Sequence, residues 1–218
     1  MTPPRGRLIA LEGLDGAGTT TQARLLVERL VAAGLPAYLT REPTDGPIGR
    51  LAREALRGGA GGVSRATLAL LFAADRLDHL AREIQPQLEA GIHVVSDRYV
   101  YSSLAYQSLD LDPAWVAELN RHAPDADLTV WLDVVPEVAQ TRLAQRGGPR
   151  EIFDPMEQQR RVAASYEALL GGSADRGAIH GRAPRAVRID GTQPVLVVGE
   201  EIFLAVEKIC GAPTGLPA

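Results

Sequence analysis

Cysteine is nearly absent from this chain of 218 residues: a single thiol, Cys210, stands near the C-terminus. No internal disulfide can form, which fits a reducing compartment. Long apolar runs are missing too. None approaches the ~20 residues needed to span a bilayer, so no membrane association is expected. The opening segment, Met1 to Arg7, lacks the apolar stretch of a secretion signal, and a cytoplasmic protein is expected. Nor is there a surplus of positive charge. Lys and Arg number 23 against 27 Asp and Glu, a formal net charge of −4. That balance argues against a nucleic-acid partner but leaves room for a local basic cleft around phosphates. Internal repeats and clear linkers are also lacking, so residues 1–218 are expected to form one domain.

What is present is an alternation of short apolar runs with longer amphipathic ones. Leu8–Leu11, Ala37–Thr40, Ile92–Ser96, Leu128–Leu132 and Arg185–Ile189 read as strands. Between them, Thr20–Ala33, Pro47–Leu56, Arg65–Glu89, Pro136–Arg146 and Val195–Ile209 read as helices. Gly34 and Pro36 stop the first helix, and Pro86 kinks or ends the third. Such alternation predicts an α/β fold, a five-stranded parallel sheet covered on both faces. Residues 171–184 are expected to be a loop and 211–218 a flexible tail.

The strongest local signal is Gly13-Leu14-Asp15-Gly16-Ala17-Gly18-Thr19-Thr20, continued by Thr21. It follows a strand and opens a helix, as a phosphate-binding loop must. Its glycines let backbone N–H groups turn toward phosphate oxygens, and the helix aims its positive end at them. In the usual pattern, Gly-x-x-x-x-Gly-Lys-Ser/Thr, a lysine follows the last glycine. Here Thr19 takes its place, while Thr20 keeps the hydroxyl that ligates Mg2+ in such loops. A glycine-rich turn without a ligand is the alternative reading of this stretch alone.

Other segments give the loop a context. Arg41-Glu42-Pro43 follows the second strand, and Leu70-Leu-Phe-Ala-Ala-Asp-Arg76 lies on a helix. Asp97-Arg98-Tyr99 follows the third strand, and Ser102-Ser-Leu-Ala-Tyr-Gln107 comes next. In this order, from about Leu8 to Tyr166, the chain resembles the thymidylate kinases, a family of P-loop nucleoside-monophosphate kinases. The resemblance implies a three-layer P-loop NTPase fold with a mobile lid, here about residues 146–156. It also implies transfer of a phosphoryl group from ATP, with Mg2+, to dTMP, and a homodimer packed through the helices beside the base site. Leu68, Leu70, Leu71 and Phe72 supply more apolar side chains than one core-facing stripe requires.

Each residue type suits the role the resemblance gives it. Arg98, at the C-terminal end of a strand, reaches the cleft where ligands of open α/β sheets sit. Its fork suits a phosphate, that of dTMP, with Arg53 as a second contact and Arg41 beside them. Alternatively, Arg53 lies on a solvated helix face. Asp97 ends an apolar run, as an acid near Mg2+ does in many phosphate-loop enzymes. Asp15 is assigned to the acceptor's sugar and phosphate. Phe72 and Arg76, four apart, share one side of a helix and offer a stacking ring beside a donor for a pyrimidine carbonyl. Composition alone would place Phe72 in the core. Tyr106 is assigned to the face beneath the sugar, where it disfavours a 2′-hydroxyl, with Ser103 and Gln107 near the base.

With no lysine in the loop, the lid arginines Arg146 and Arg150 are assigned to the ATP phosphates, joined by Arg142. Two other functions use the same residues: a nucleotide-binding regulator with little catalysis, and a kinase for another pyrimidine monophosphate.

Overall fold

The computed structural model describes residues 4–58, 62–146, 155–172 and 185–211. Five strands, β1 (Leu8–Gly13), β2 (Ala37–Arg41), β3 (His93–Asp97), β4 (Leu128–Asp133) and β5 (Ala186–Asp190), form one sheet. Their order is β2-β3-β1-β4-β5, and every pairing is parallel. Parallel neighbours need long crossovers, which the helices supply. These are α1 (Thr19–Ala32), α2 (Pro47–Leu56), α3 (Arg65–His79), α4 (Gln85–Glu89), α5 (Val100–Gln107), α6 (Pro113–Asn120), α7 (Pro136–Arg146), α8 (Pro155–Leu170) and α9 (Val195–Cys210).

Burial follows position in the sheet. All residues of the inner strands β1 and β3 are buried, whereas the edge strands β2 and β5 each bury one residue. Ile9 and Leu11 on β1 meet Val94, Val95, Val130 and Leu132 in a core where all six have no exposed surface. Each such side chain contributes roughly 1.5–3 kcal/mol on leaving water. Helix α1 packs with α9, and α5 packs with α8, closing a three-layer α/β arrangement. Among the described residues no helix is long and apolar enough to cross a membrane.

One element departs from the sequence pattern. The helix expected over Arg65–Glu89 is wound three ways, as α3, a π-helical turn at Leu80–Ile84, and α4. The change comes before Pro86, because a proline ring collides with the carbonyl four residues back and has no N–H to offer. In the wider turn the N–H of Gln85 instead bonds Leu80 O, five residues back. Arg146 is the last residue of α7. Arg150, nearly all of the expected lid and the tail beyond Gly211 lie outside the described residues.

Candidate active site

The phosphate loop runs from the buried end of β1 into α1. Gly18 caps that helix with φ 100°, a left-handed conformation a side chain would strain. Gly16 is constrained by a neighbour as well as by its φ of 89°. A Cβ there would lie 2.4 Å from Ala139 O on α7, so the loop rests directly on that helix. Ala17 N–H bonds Leu14 O at 2.9 Å, and the Arg142 guanidinium donates to Ala17 O at 3.3 Å. Thr19 is buried at the first position of α1, its hydroxyl the only polar group the side chain brings.

Beside the loop, Thr20 Oγ1 donates to Asp97 Oδ2 at 2.5 Å. Asp97 is buried at the end of β3, and its second oxygen, Oδ1, has no hydrogen-bond partner among the described residues. A buried acceptor without a partner is costly, and a hydroxyl next to a carboxylate is an all-oxygen donor set suited to a hard cation. Mg2+ takes few protein ligands and completes its shell with phosphate oxygens and water. The pair Thr20 and Asp97 therefore fits the ion.

One residue further on, Arg98 has φ 73°, unusual for a residue with a side chain. The backbone turn sends its guanidinium back over the loop. Nη1 donates to Gly13 O and to Ser102 Oγ, both at 3.1 Å, and Nη2 donates to Asp15 Oδ1 at 2.6 Å. Tyr106 supports both groups: its hydroxyl accepts the Asp15 N–H at 3.0 Å, and its ring lies 5.3 Å from the guanidinium carbon. Burial works against the charge on Arg98, but Tyr106, Asp15, Tyr166 and Asp97 around it outweigh that effect and raise its pKa well above the ordinary value.

A buried carboxylate holds this corner. Glu12, with no exposed surface, accepts from Tyr99 N–H at 2.9 Å, Ser102 Oγ at 2.6 Å and Tyr166 Oη at 2.9 Å. Burial raises its pKa, against the lowering effects of the Ser102 bond, the Arg98 charge and the Tyr166 bond. Tyr166 belongs to α8 and stacks on Trp131 of β4, so α8 is tied to the sheet at the end that carries the loop. Its arginines serve that docking: Arg160 pairs with Glu137 on α7, and Arg161 donates to Leu109 O.

A cavity of about 330 Å³ opens beside Arg98, large enough for a small ligand. The structure brings Asp15, Arg53, Phe72, Arg76, Arg98, Ser103, Tyr106 and Gln107 to its wall. Phe72 supplies a ring, and Gln107 brings a buried Oε1 that has no partner among the described residues. Arg53 is turned to the wall by bonds to Pro43 O at 2.6 Å and Asp45 Oδ1 at 2.7 Å. Arg41 is not a wall residue. It follows the edge of the sheet outward, exposed, and pairs with Asp45 at 2.8 and 2.9 Å.

The wall also holds residues not singled out from the sequence: Glu42, Arg65, Tyr99, Ser102, Asp110 and Gln158. Glu42, Tyr99 and Ser102 stand inside the quoted segments, and Glu42 lies just past the C-terminal end of β2, a ligand position in such sheets. Arg65 and Asp110 pair across the wall at 3.4 Å from elements 45 residues apart, a contact no local pattern announces.

Comparison with known proteins matches residues 11–179 to the family model described as thymidylate kinase. Proteins of Thermococcus kodakarensis and Pyrobaculum aerophilum, each named "Probable thymidylate kinase", are 45% and 44% identical to the chain. Those alignments cover 74% and 78% of this chain and 82% and 84% of the relatives. A protein of Aeropyrum pernix that also bears a thymidylate kinase name is 43% identical over 86% of both chains.

Proposed function

The chain belongs to the thymidylate kinase family, and we propose that it moves the γ-phosphoryl group of ATP to dTMP, giving ADP and dTDP. The observation that carries this reading is the shared wall between loop and cavity. Asp15 belongs to the phosphate loop and also lines the cavity, and Arg98 bridges the two.

In this arrangement the loop's N–H groups and the start of α1 hold the donor phosphates. Phe72 stacks on the thymine, Arg76 and Gln107 meet its polar edge, and Tyr106 lies against the sugar. Arg98 and Arg53 hold the acceptor phosphate, leaving one of its oxygens facing the loop. That oxygen attacks the γ-phosphorus in line. A P–O bond forms as the bond to the β-phosphate oxygen breaks, and ADP leaves with the electron pair. Positioning and charge neutralisation supply most of the catalysis, with no covalent intermediate. Mg2+, held by Thr20 and Asp97, neutralises phosphate charge when bound.

The loop's missing cation is the unusual part. Losing one preorganised donor costs about 10²–10³ in rate, roughly 3–4 kcal/mol. Lys208, in the last turn of α9, is the sole lysine of the chain, and the replacement is read as an arginine. Arg146 and Arg150 are assigned that role. Arg142, already against the loop, adds to the positive field.

The working form is read as a cytoplasmic homodimer. Leu70 and Leu77, two turns apart on α3, and Leu51 on the adjoining α2 are exposed, and a second copy would cover them.

A coupled ADP-release assay across a panel of nucleoside monophosphates tests the reaction. Turnover is expected to be greatest with dTMP and to require Mg2+. Binding of dTMP and ATP without turnover would refute the kinase reading.

A further inference from the structure

Behind the cavity wall lies a buried polar cluster that phosphoryl transfer does not use. Its centre is His79, the last residue of α3, whose side chain has no exposed surface. Nδ1 lies 3.1 Å from Glu42 Oε1, and Nε2 lies 2.7 Å from Thr40 Oγ1. The Thr40 hydroxyl is in turn 2.5 Å from Glu83 Oε1.

With Glu42 and Glu83 ionised, counting hydrogens gives the state of the ring. A hydroxyl carries one hydrogen, and a carboxylate only accepts. Thr40 therefore gives its hydrogen to Glu83, and its oxygen must receive one from Nε2. Glu42 Oε1 likewise accepts from Nδ1. Both ring nitrogens then bear hydrogen, so the ring is an imidazolium.

Its charge acts on the cavity through Glu42. That carboxylate, a wall residue, bonds His79 with one oxygen and Arg76 Nε with the other, at 2.8 Å. Arg76 further donates to Ser103 Oγ at 3.0 Å, Tyr99 O at 3.0 Å and Asn120 Oδ1. Among the described residues, four of its five N–H donors are thus taken, and its orientation depends on Glu42 staying in place.

We propose that His79 is a positioning residue for the acceptor cavity: its imidazolium fixes Glu42, and through Glu42 the Arg76 fork, so acceptor affinity falls when the ring loses its proton. The inference rests on reading the cavity as the dTMP site.

The groups facing the ring come from three elements. Glu42 follows β2, Glu83 comes from the π-helical turn with Tyr38 beside it, and Asp75 and Arg76 belong to α3. Burial pushes the ring's pKa down, but the Glu42 bond and the charges of Glu42, Glu83 and Asp75 outweigh it and raise it above 6.5. The sign follows. A raised folded-state pKa stabilises the structure fully at pH below the unfolded value, and that stability is lost as pH rises through the folded value. A neutral ring either turns a lone pair toward Glu42, breaking the chain of bonds to Arg76, or keeps the Nδ1 hydrogen there and loses the positive charge that holds the carboxylate. By linkage, dTMP must raise the ring's titration midpoint by the factor the proton adds to dTMP affinity.

Two measurements on the full chain test this. Ring-proton NMR, assigned with His79→Gln, follows the titration with and without saturating dTMP. Calorimetry gives the Kd for dTMP from pH 7, where its phosphate is largely dianionic, to beyond the midpoint that NMR finds. The expected midpoint lies above 6.5 and moves up with dTMP. Wild-type Kd weakens roughly fivefold or more with rising pH, while His79→Gln binds weakly and without that slope, its ATP Kd unchanged. A midpoint at or below the ordinary value, or a slope that persists in His79→Gln, overturns the proposal. Binding of dTMP that ignores pH in the wild type overturns it alone, whereas no binding at any pH overturns the acceptor reading with it. If His79→Gln fails to fold by circular dichroism, the wild-type titration and its response to dTMP decide the matter.

Discussion

Arg98 reaches from the end of β3 to Asp15 inside the phosphate loop, with Nη2 2.6 Å from Oδ1. An acceptor phosphate placed between cavity and loop draws on the same fork. Arg98→Ala is therefore expected to weaken dTMP binding about tenfold to a hundredfold, the worth of roughly 1.5–3 kcal/mol for bonds to a charged group. ATP affinity should change little. Calorimetry with each nucleotide separates the two, and an unaltered dTMP Kd in a folded variant would remove Arg98 from the acceptor site.

Asp97→Asn keeps a side chain that can bond Thr20 but removes the charge beside it. The Mg2+ concentration for half-maximal rate is expected to rise about tenfold or more. Titrating Mg2+ at fixed ATP measures it, and an unshifted curve would mean the ion is held elsewhere.

For Thr19 the expectation is a coupling rather than a single effect. Arg150→Ala should lower kcat by about 10²-fold or more, since no loop lysine shares the phosphate charge. Thr19→Lys should restore part of that loss. Kinetics of both single variants and the double one give the interaction energy. If the effects add within about 0.5 kcal/mol, compensation by Arg150 is wrong, and Arg146 becomes the candidate.

Strand positions were legible because buried parallel strands are short continuous apolar runs, as Leu8–Leu11 and Ile92–Ser96 show. The loop and the Phe72–Arg76 pair were legible because their spacing matches a helix or turn. Arg41 was read from the same kind of local signal: its tripeptide is in place, but Asp45, four residues on, draws the guanidinium outward from the cavity wall. The buried Glu42–His79–Thr40 cluster joins residues up to 39 apart in sequence, and no periodicity marks it. The π-helical turn was unreadable too, since Pro86 signals a break without saying which residues before it absorb the strain.

Light scattering at micromolar concentration is expected to give twice the chain mass. Leu70→Glu, at a half-exposed position on α3, should shift the protein to monomer without unfolding it. A monomer mass for the wild type would refute the dimer.

Cys210 is half-buried, and its thiol is pushed up to about 11, chiefly by burial. At pH 8 only about one molecule in a thousand then carries the reactive thiolate. Iodoacetamide should label the folded protein far more slowly than the unfolded chain, which mass spectrometry can follow. Equal rates would show the site open to solvent.

The sheet order also governs how the chain comes together during synthesis. β1, made first, pairs with β3 on one side and β4 on the other. Until the ribosome has released residue 133, this strand, wholly buried in the finished fold, has at least one bare edge, and the phosphate loop that follows it has no settled frame. Nascent chains halted before Leu128 would thus display a template for aberrant strand pairing. Nucleotide binding would emerge only late in translation, and dependence on holdase chaperones should be greatest for fragments ending between β3 and β4.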